Sequence, residues 1–153
     1  MSSPLPNNDQ MAKLSYNDVQ RLVNDTEQLK NQLQFYLSQM DLLENSIADL
    51  DGSRIALKEL KTKTKGETLL VPLGTQILLP VEITSNETVL HDLGSNILKD
   101  IPIDESIKKI ESRIELFRKS VTTLSERIYQ LENLVKQRED LLNRLVPASQ
   151  MSK

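Results

Sequence analysis

Side chains with broad chemistry are scarce in this chain. Its 153 residues include one histidine, His91, and no cysteine. General-base work at neutral pH calls for an imidazole or a tuned carboxylate held beside a partner. His91 has no second histidine or thiol to join it and is read as a solvent-facing strand residue. Many of the 22 acidic residues alternate with lysine and arginine on outer helix faces, the pattern of a solvated surface. Lys58, Lys61, Lys63 and Lys65 cluster in "KELKTKTKGE". A phosphate backbone would attract them, but the net charge of −3 and the lack of interleaved aromatics argue against nucleic acid. They fit a helix C-terminus, where cations meet the negative end of the dipole. No glycine-rich phosphate loop is present. No catalytic residue, metal site or cofactor is expected.

What remains is the architecture. Apolar residues make up 38% of the chain and aromatics only 3%, with no tryptophan, which suits thin helix-on-helix seams better than a thick core. From Val19 the seam runs Leu22, Thr26, Leu29, Leu33, Tyr36, Met40, Leu43, Ile47, Leu50, Arg54, Leu57. A second runs Ile103, Ile107, Ile110, Ile114, Phe117, Val121, Leu124, Ile128, Leu131, Val135, Arg138, Leu142, Leu145. Steps of three and four held for more than five heptads are the a/d repeat of a coiled coil. Gly52 costs roughly 1 kcal/mol against alanine, but the heptad phase crosses it on the outer face, so the helix is expected to continue. Each arm is expected to be a rod of roughly 65–70 Å. Folded back antiparallel, the seams align end to end and place Thr26 opposite Arg138, a shared polar layer that separate parallel dimers do not predict. This register brings Lys30 near Glu132, Lys58 near Asp104 and Glu44 near Arg118, with Asp51 and Glu111 as a like-charge pair.

Between the seams lies "LLVPLGTQILLPVEITSNETVLHDLGSNIL", residues 69–98. Four strands are expected, Leu69–Leu73 with Gln76–Thr84 and Thr88–Asp92 with Ile97–Ile101, turning at Gly74 and around Gly94-Ser95-Asn96. Pro72 and Pro80 mark edges or bulges, since each removes a ladder donor. Leu69, Val71, Ile77, Leu79, Val81, Ile83, Val89, Leu93 and Ile97 carry more apolar surface than two small hairpins hide, and the open edges invite pairing with another subunit. The expected fold is mainly α with a small β module, a long antiparallel two-helix coiled coil joined by two β-hairpins. Its parts are an N-terminal arm at 1–13, helix one at 14–65, the hairpins at 66–102, helix two at 103–146 and a flexible tail at 147–153.

This layout, with "LLVPLG" at 69–74 and "VLHDLGSNILKDI" at 89–101, resembles the alpha class of prefoldin subunits over essentially the whole chain. One hairpin would mark the beta class; two point to alpha. Where the family often has a second glycine followed by tyrosines, this chain has Asn96, Ile97 and Leu98; asparagine tolerates the left-handed turn. The resemblance implies a hexamer of two alpha and four beta-class subunits, built on an intersubunit β-barrel. It further implies ATP-independent capture of unfolded polypeptide clients and delivery to a group II chaperonin. Two rival readings are a homo-oligomeric coiled-coil spacer and a prefoldin-like regulatory adaptor in transcription or complex assembly.

At the free ends of the arms the apolar surface widens beyond a/d. Val19, Leu22, Val23, Leu134, Leu141, Leu142, Leu145 and Val146 are expected to form a frayed patch for clients, against the alternative that Leu134 and Leu141 pack under Leu14 and Tyr16. No apolar run approaches the ~20 residues of a membrane span, and "MSSPLPNNDQ" lacks the pattern of a secretory signal. A cytoplasmic location is expected.

Overall fold

The computed structural model describes residues 15–150, the last five in backbone only. The expected N-terminal arm, Leu14, residues 151–153 of the expected tail and the side chain of Val146 lie outside the described residues. Helix α1 spans Tyr16–Thr62 and helix α2 spans Ile103–Gln150, with strands β1 (Thr68–Pro72), β2 (Leu78–Glu82), β3 (Thr88–Asp92) and β4 (Leu98–Pro102) between them. Among the described residues no helix is long and apolar enough to cross a membrane.

Ser15 starts α1 with a reciprocal cap. Its hydroxyl and amide both donate to Asp18 Oδ2, at 2.8 and 3.0 Å, while the Asp18 amide donates back to Ser15 Oγ at 3.3 Å. The Ser15 hydroxyl, and then its amide, hold the Asp18 carboxyl below the usual carboxylate range. Gly52 lies within α1 with open space where a Cβ would project, so the helix passes it unbroken. Every expected a/d position of α1 from Val19 to Leu57 is buried or half-buried, and so is every one in α2.

The helices contribute to two compact units. In the unit formed by residues 43–120, the core is a run of isoleucines: Ile83, Ile101, Ile103, Ile107, Ile110 and Ile114. β-Branched residues suit the strands, and the isoleucine run continues into the first turns of α2. Lys58 pairs with Glu111 at 3.3 Å and Lys61 with Asp104 at 2.5 Å. The expected Lys58–Asp104 pair is therefore displaced by one heptad. Asp51, expected to face Glu111 as a like-charge pair, accepts from Arg54 of its own helix at 2.7 and 2.9 Å. The Asn86 amide donates to the Lys63 carbonyl at 2.5 Å and ties the link between hairpins to the end of α1.

In the other unit, residues 15–42 pack with residues 121–150. Thr26 is fully buried, and its hydroxyl donates to the Leu22 carbonyl at 2.6 Å, the back-bond that satisfies a threonine inside a helix. Lys30 pairs with Glu139 at 2.6 Å, again one heptad beyond the expected Glu132. Side chains lean toward the N-terminus of their own helix. In an antiparallel pair, that lean carries each lysine and its glutamate toward each other across one extra heptad. The Glu139 hydrogen bond raises the Lys30 ammonium above its ordinary pKa.

Arg138 occupies its seam position half-buried, with Nε buried and without a hydrogen-bond partner. A buried unpaired donor costs ~1–3 kcal/mol. Arg138→Leu is therefore expected to stabilise the chain by about 1 kcal/mol, read as a higher urea midpoint at fixed protein concentration. An unchanged or lower midpoint contradicts this.

Candidate subunit interface

Each hairpin closes with the same backbone bonds. Leu73 N–H donates to the Ile77 carbonyl at 2.8 Å, and Leu93 N–H to the Ile97 carbonyl at 2.9 Å. At the open ends Ile83 N–H donates to Glu67 at 2.9 Å and Ile103 N–H to Glu87 at 3.1 Å. Equivalent residues of the two hairpins are twenty apart in every case. Segments 67–83, "ETLLVPLGTQILLPVEI", and 87–103, "ETVLHDLGSNILKDIPI", are identical at eight of seventeen positions. The hairpins are thus two copies of one unit, an internal repeat that the residue-by-residue reading passed over.

The turn bonds shorten the expected strands. Gln76, Ile77 and Ile97 lie in three-residue loops and their closing pairs, outside β2 and β4. In the second loop Gly94, Ser95 and Asn96 all have positive φ, at 99°, 53° and 61°. Asp92 Oδ1 steadies the loop by accepting from the Gly94 amide at 2.8 Å. Asn96 fills the left-handed position expected of it, whereas a β-branched residue there meets its own carbonyl. Asn96→Val is expected to cost about 1–2 kcal/mol in urea unfolding, and Asn96→Gly to be close to neutral. Equal midpoints for valine and glycine would contradict the assignment.

Opposed residues share a face. On the first hairpin Leu70, Pro72, Leu78 and Pro80 form one face, and Leu69, Val71, Leu79 and Val81 the other. Leu70 and Leu78 are exposed on the first, and Val71 and Leu79 on the second, with Leu73 and Ile77 exposed at the turn. A two-stranded ribbon apolar on both faces has no solvated side. Leu69 and Val81 are half-buried, and Ile83 is buried by its own chain. On the second hairpin, Leu90, Leu93, Ile97 and Leu98 are exposed, while Val89 is half-buried and Ile101 buried. Leu70, Leu73, Leu78, Leu90 and Leu98 were not among the expected contact residues; the twenty-residue repeat is the signal that singles them out.

His91 does not face solvent as expected. It is half-buried, and its Nδ1 lies 2.7 Å from Oγ of Ser106, which is 1% exposed. The odd-numbered residues of β3 turn toward the first turns of α2, and Ser106 lies in that stretch. The contact fastens the second hairpin; the first has Val71 at the equivalent place. Among the described residues no group of three metal-ligating side chains is assembled.

The sequence model of the prefoldin family, described as Prefoldin subunit, matches residues 16–148. The chain belongs to the prefoldin family. Among curated relatives, prefoldin subunit alpha 2 of Methanocaldococcus jannaschii is 29% identical over 101 residues, covering 61% of this chain and 69% of the relative. "Probable prefoldin subunit 5" of Dictyostelium discoideum is 28% identical over 139 residues, covering 88% and 84%. A cryo-EM structure of filamentous PFD from Methanocaldococcus jannaschii superposes with a TM-score of 0.64 at 25% identity, covering 74% of this chain and 94% of that one. Two hairpins and these relatives make this a prefoldin subunit of the alpha class.

In this prefoldin subunit the residues expected to meet clients lie in the seam. Leu141 and Leu145 are buried, and Val19, Leu22, Val23, Leu134 and Leu142 are half-buried. Tyr16 is 82% exposed, so it does not cover Leu134 and Leu141. On either side of Arg138, Leu134 and Leu142 are half-buried and Val135 and Leu141 buried. The widened apolar stripe is therefore folded inward.

Proposed function

We propose that this prefoldin subunit is one of two alpha subunits in a hexamer with four beta-class subunits. The complex holds unfolded polypeptides without ATP and passes them to a group II chaperonin in the cytoplasm. The observation carrying this reading is the ribbon of β1 and β2, apolar and exposed on both faces, in a chain of the prefoldin family. Such a surface calls for neighbouring subunits on both sides, and an intersubunit β-barrel would supply them. Clients would meet Val19, Leu22, Val23, Leu134, Leu141, Leu142, Leu145 and Val146 when the helix ends fray. Weak contacts from several arms would then act together. The inward-folded stripe favours a second reading, a prefoldin-type adaptor that assembles but holds no client.

The test mixes the purified chain with a beta-class subunit, measures mass by light scattering, and follows aggregation of a denatured client. Hexamer mass with suppression that Val23→Ser and Leu142→Ser weaken is the expected result. Assembly without suppression favours the adaptor. A homo-oligomer indifferent to beta-class subunits overturns the proposal and favours a coiled-coil spacer.

A further inference from the structure

One stretch of α1 is without charge. From Asn31 to Met40, "NQLQFYLSQM", the helix has no acidic or basic residue, and charge resumes at Lys30 and Asp41 on either side. Phe35 stands out of this stretch at 59% exposure. Its neighbours one turn away on the helix surface are Asn31, Gln32, Ser38 and Gln39, all exposed and all able to donate and accept hydrogen bonds. The Phe35 ring is set edge-to-face on Tyr36, with 5.7 Å between centroids, and Arg127 of α2 lies over Tyr36 at 6.0 Å. An oriented aromatic ring bordered by amides and hydroxyls suits a polyproline-type strand. The ring takes an apolar side chain, and the amides reach backbone carbonyls that such a strand leaves without internal partners.

A segment of that kind precedes the helix. Residues 1–14, outside the described ones, read "MSSPLPNNDQMAKL", with Leu5 between two prolines and no charged side chain before Asp9. Pro4 and Pro6 fix φ close to the polyproline value. The start of α1 sets the direction from which this segment arrives. With Ser15 as the capping residue, Leu14 and Val19 occupy the two positions of a hydrophobic staple, a contact that lays the preceding chain over the first turn. The lengths also agree. Ten residues of polyproline strand, from Ser15 back to Leu5, rise about 31 Å. Twenty helical residues, from Ser15 on to Phe35, rise about 30 Å.

We propose that residues 1–14 lie back along this flank of α1 as a strap, with Leu5 seated on the Phe35 ring. The occupant is the chain's own segment because its tether holds it at a roughly millimolar effective concentration. An uncharged strand also meets an uncharged flank, so no charge is stripped of water without a partner. The strap stands apart from the functional reading and depends on no second subunit.

The chain lacks both tryptophan and cysteine, so either can be introduced as a clean reporter. Leu5→Trp is expected to emit at the shorter wavelength of a shielded indole, independent of protein concentration. Adding Phe35→Ser is expected to return the emission to that of a free 1–14 peptide carrying the same tryptophan. Adding Tyr129→Ser, which removes an aromatic 67% exposed on α2, leaves the indole shielded. Under mild oxidant, Leu5→Cys paired with Gln39→Cys, one turn beyond Phe35, is expected to form a disulfide within one chain. Leu5→Cys paired with Asp41→Cys, on the opposite side of the helix from Gln39, forms none. Solvent-like emission from Leu5→Trp alone overturns the strap, as does shielding that Phe35→Ser leaves in place. Equal cross-linking at positions 39 and 41 overturns the register. Shielding that is lost on dilution overturns the chain's own segment as the occupant and gives the flank to a second copy.

Discussion

Ile101→Ala is expected to destabilise the chain by about 2–4 kcal/mol, the largest single-residue effect on its stability. Ile101 is 2% exposed and lies opposite Val89 on β4, two residues before the first residue of α2. Its neighbours Ile103 and Ile107 are buried with it, so the vacated volume is bounded by branched side chains that relax poorly into a cavity. The loss also falls where the second hairpin passes directly into α2, so strand and helix both lose a packing partner. Urea unfolding followed by circular dichroism, at one protein concentration because association shifts apparent stability, measures the effect. Leu98→Ala, in the same strand at 61% exposure, is the control and is expected to move the midpoint by less than about 0.5 kcal/mol. Equal losses from the two variants would mean that the isoleucine core is not the source of stability.

The second large effect falls on assembly. Val71 and Leu79 are directly opposed and exposed on one face of the first hairpin. Replacing both with lysine leaves the isolated chain folded, because neither side chain belongs to its core. In a complex the same positions would bury two adjacent cations with no partner, each costing several kcal/mol. The double variant is expected to weaken association with a beta-class subunit by at least ~10³-fold, about 4 kcal/mol. Light scattering at micromolar concentration would then find separate subunits, with helix content unchanged. A complex of undiminished mass would place the contact surface elsewhere.

Much of the fold was legible because its signals are periodic. The seams from Val19 to Leu57 and from Ile103 to Leu145 need only the three-and-four spacing, and Gly52 could be passed because it falls off the seam. Signals that depend on geometry between elements were not legible. Lys30 meets Glu139 and Lys58 meets Glu111 because side chains lean along the helix, which a flat alignment of two sequences ignores. His91 turns inward because Ser106 follows the hairpin by one short helical stretch. The turns at Leu73–Ile77 and Leu93–Ile97 take residues that β-propensity assigns to strands. The apolar stripe around Leu134 and Leu141 could be found in the sequence. Whether it faced outward depended on how the two helices pack, which the spacing alone does not give.

The repeated hairpin has one more consequence. Each copy begins and ends on the same closing bond, Ile83 to Glu67 or Ile103 to Glu87, and neither copy contributes a residue to the other's ladder. If each hairpin is one contact module, as proposed above, the valence of the subunit is a matter of chain length in steps of twenty residues. Gaining or losing one whole step would then change how many neighbours a subunit recruits and leave the heptad phase of both helices unchanged.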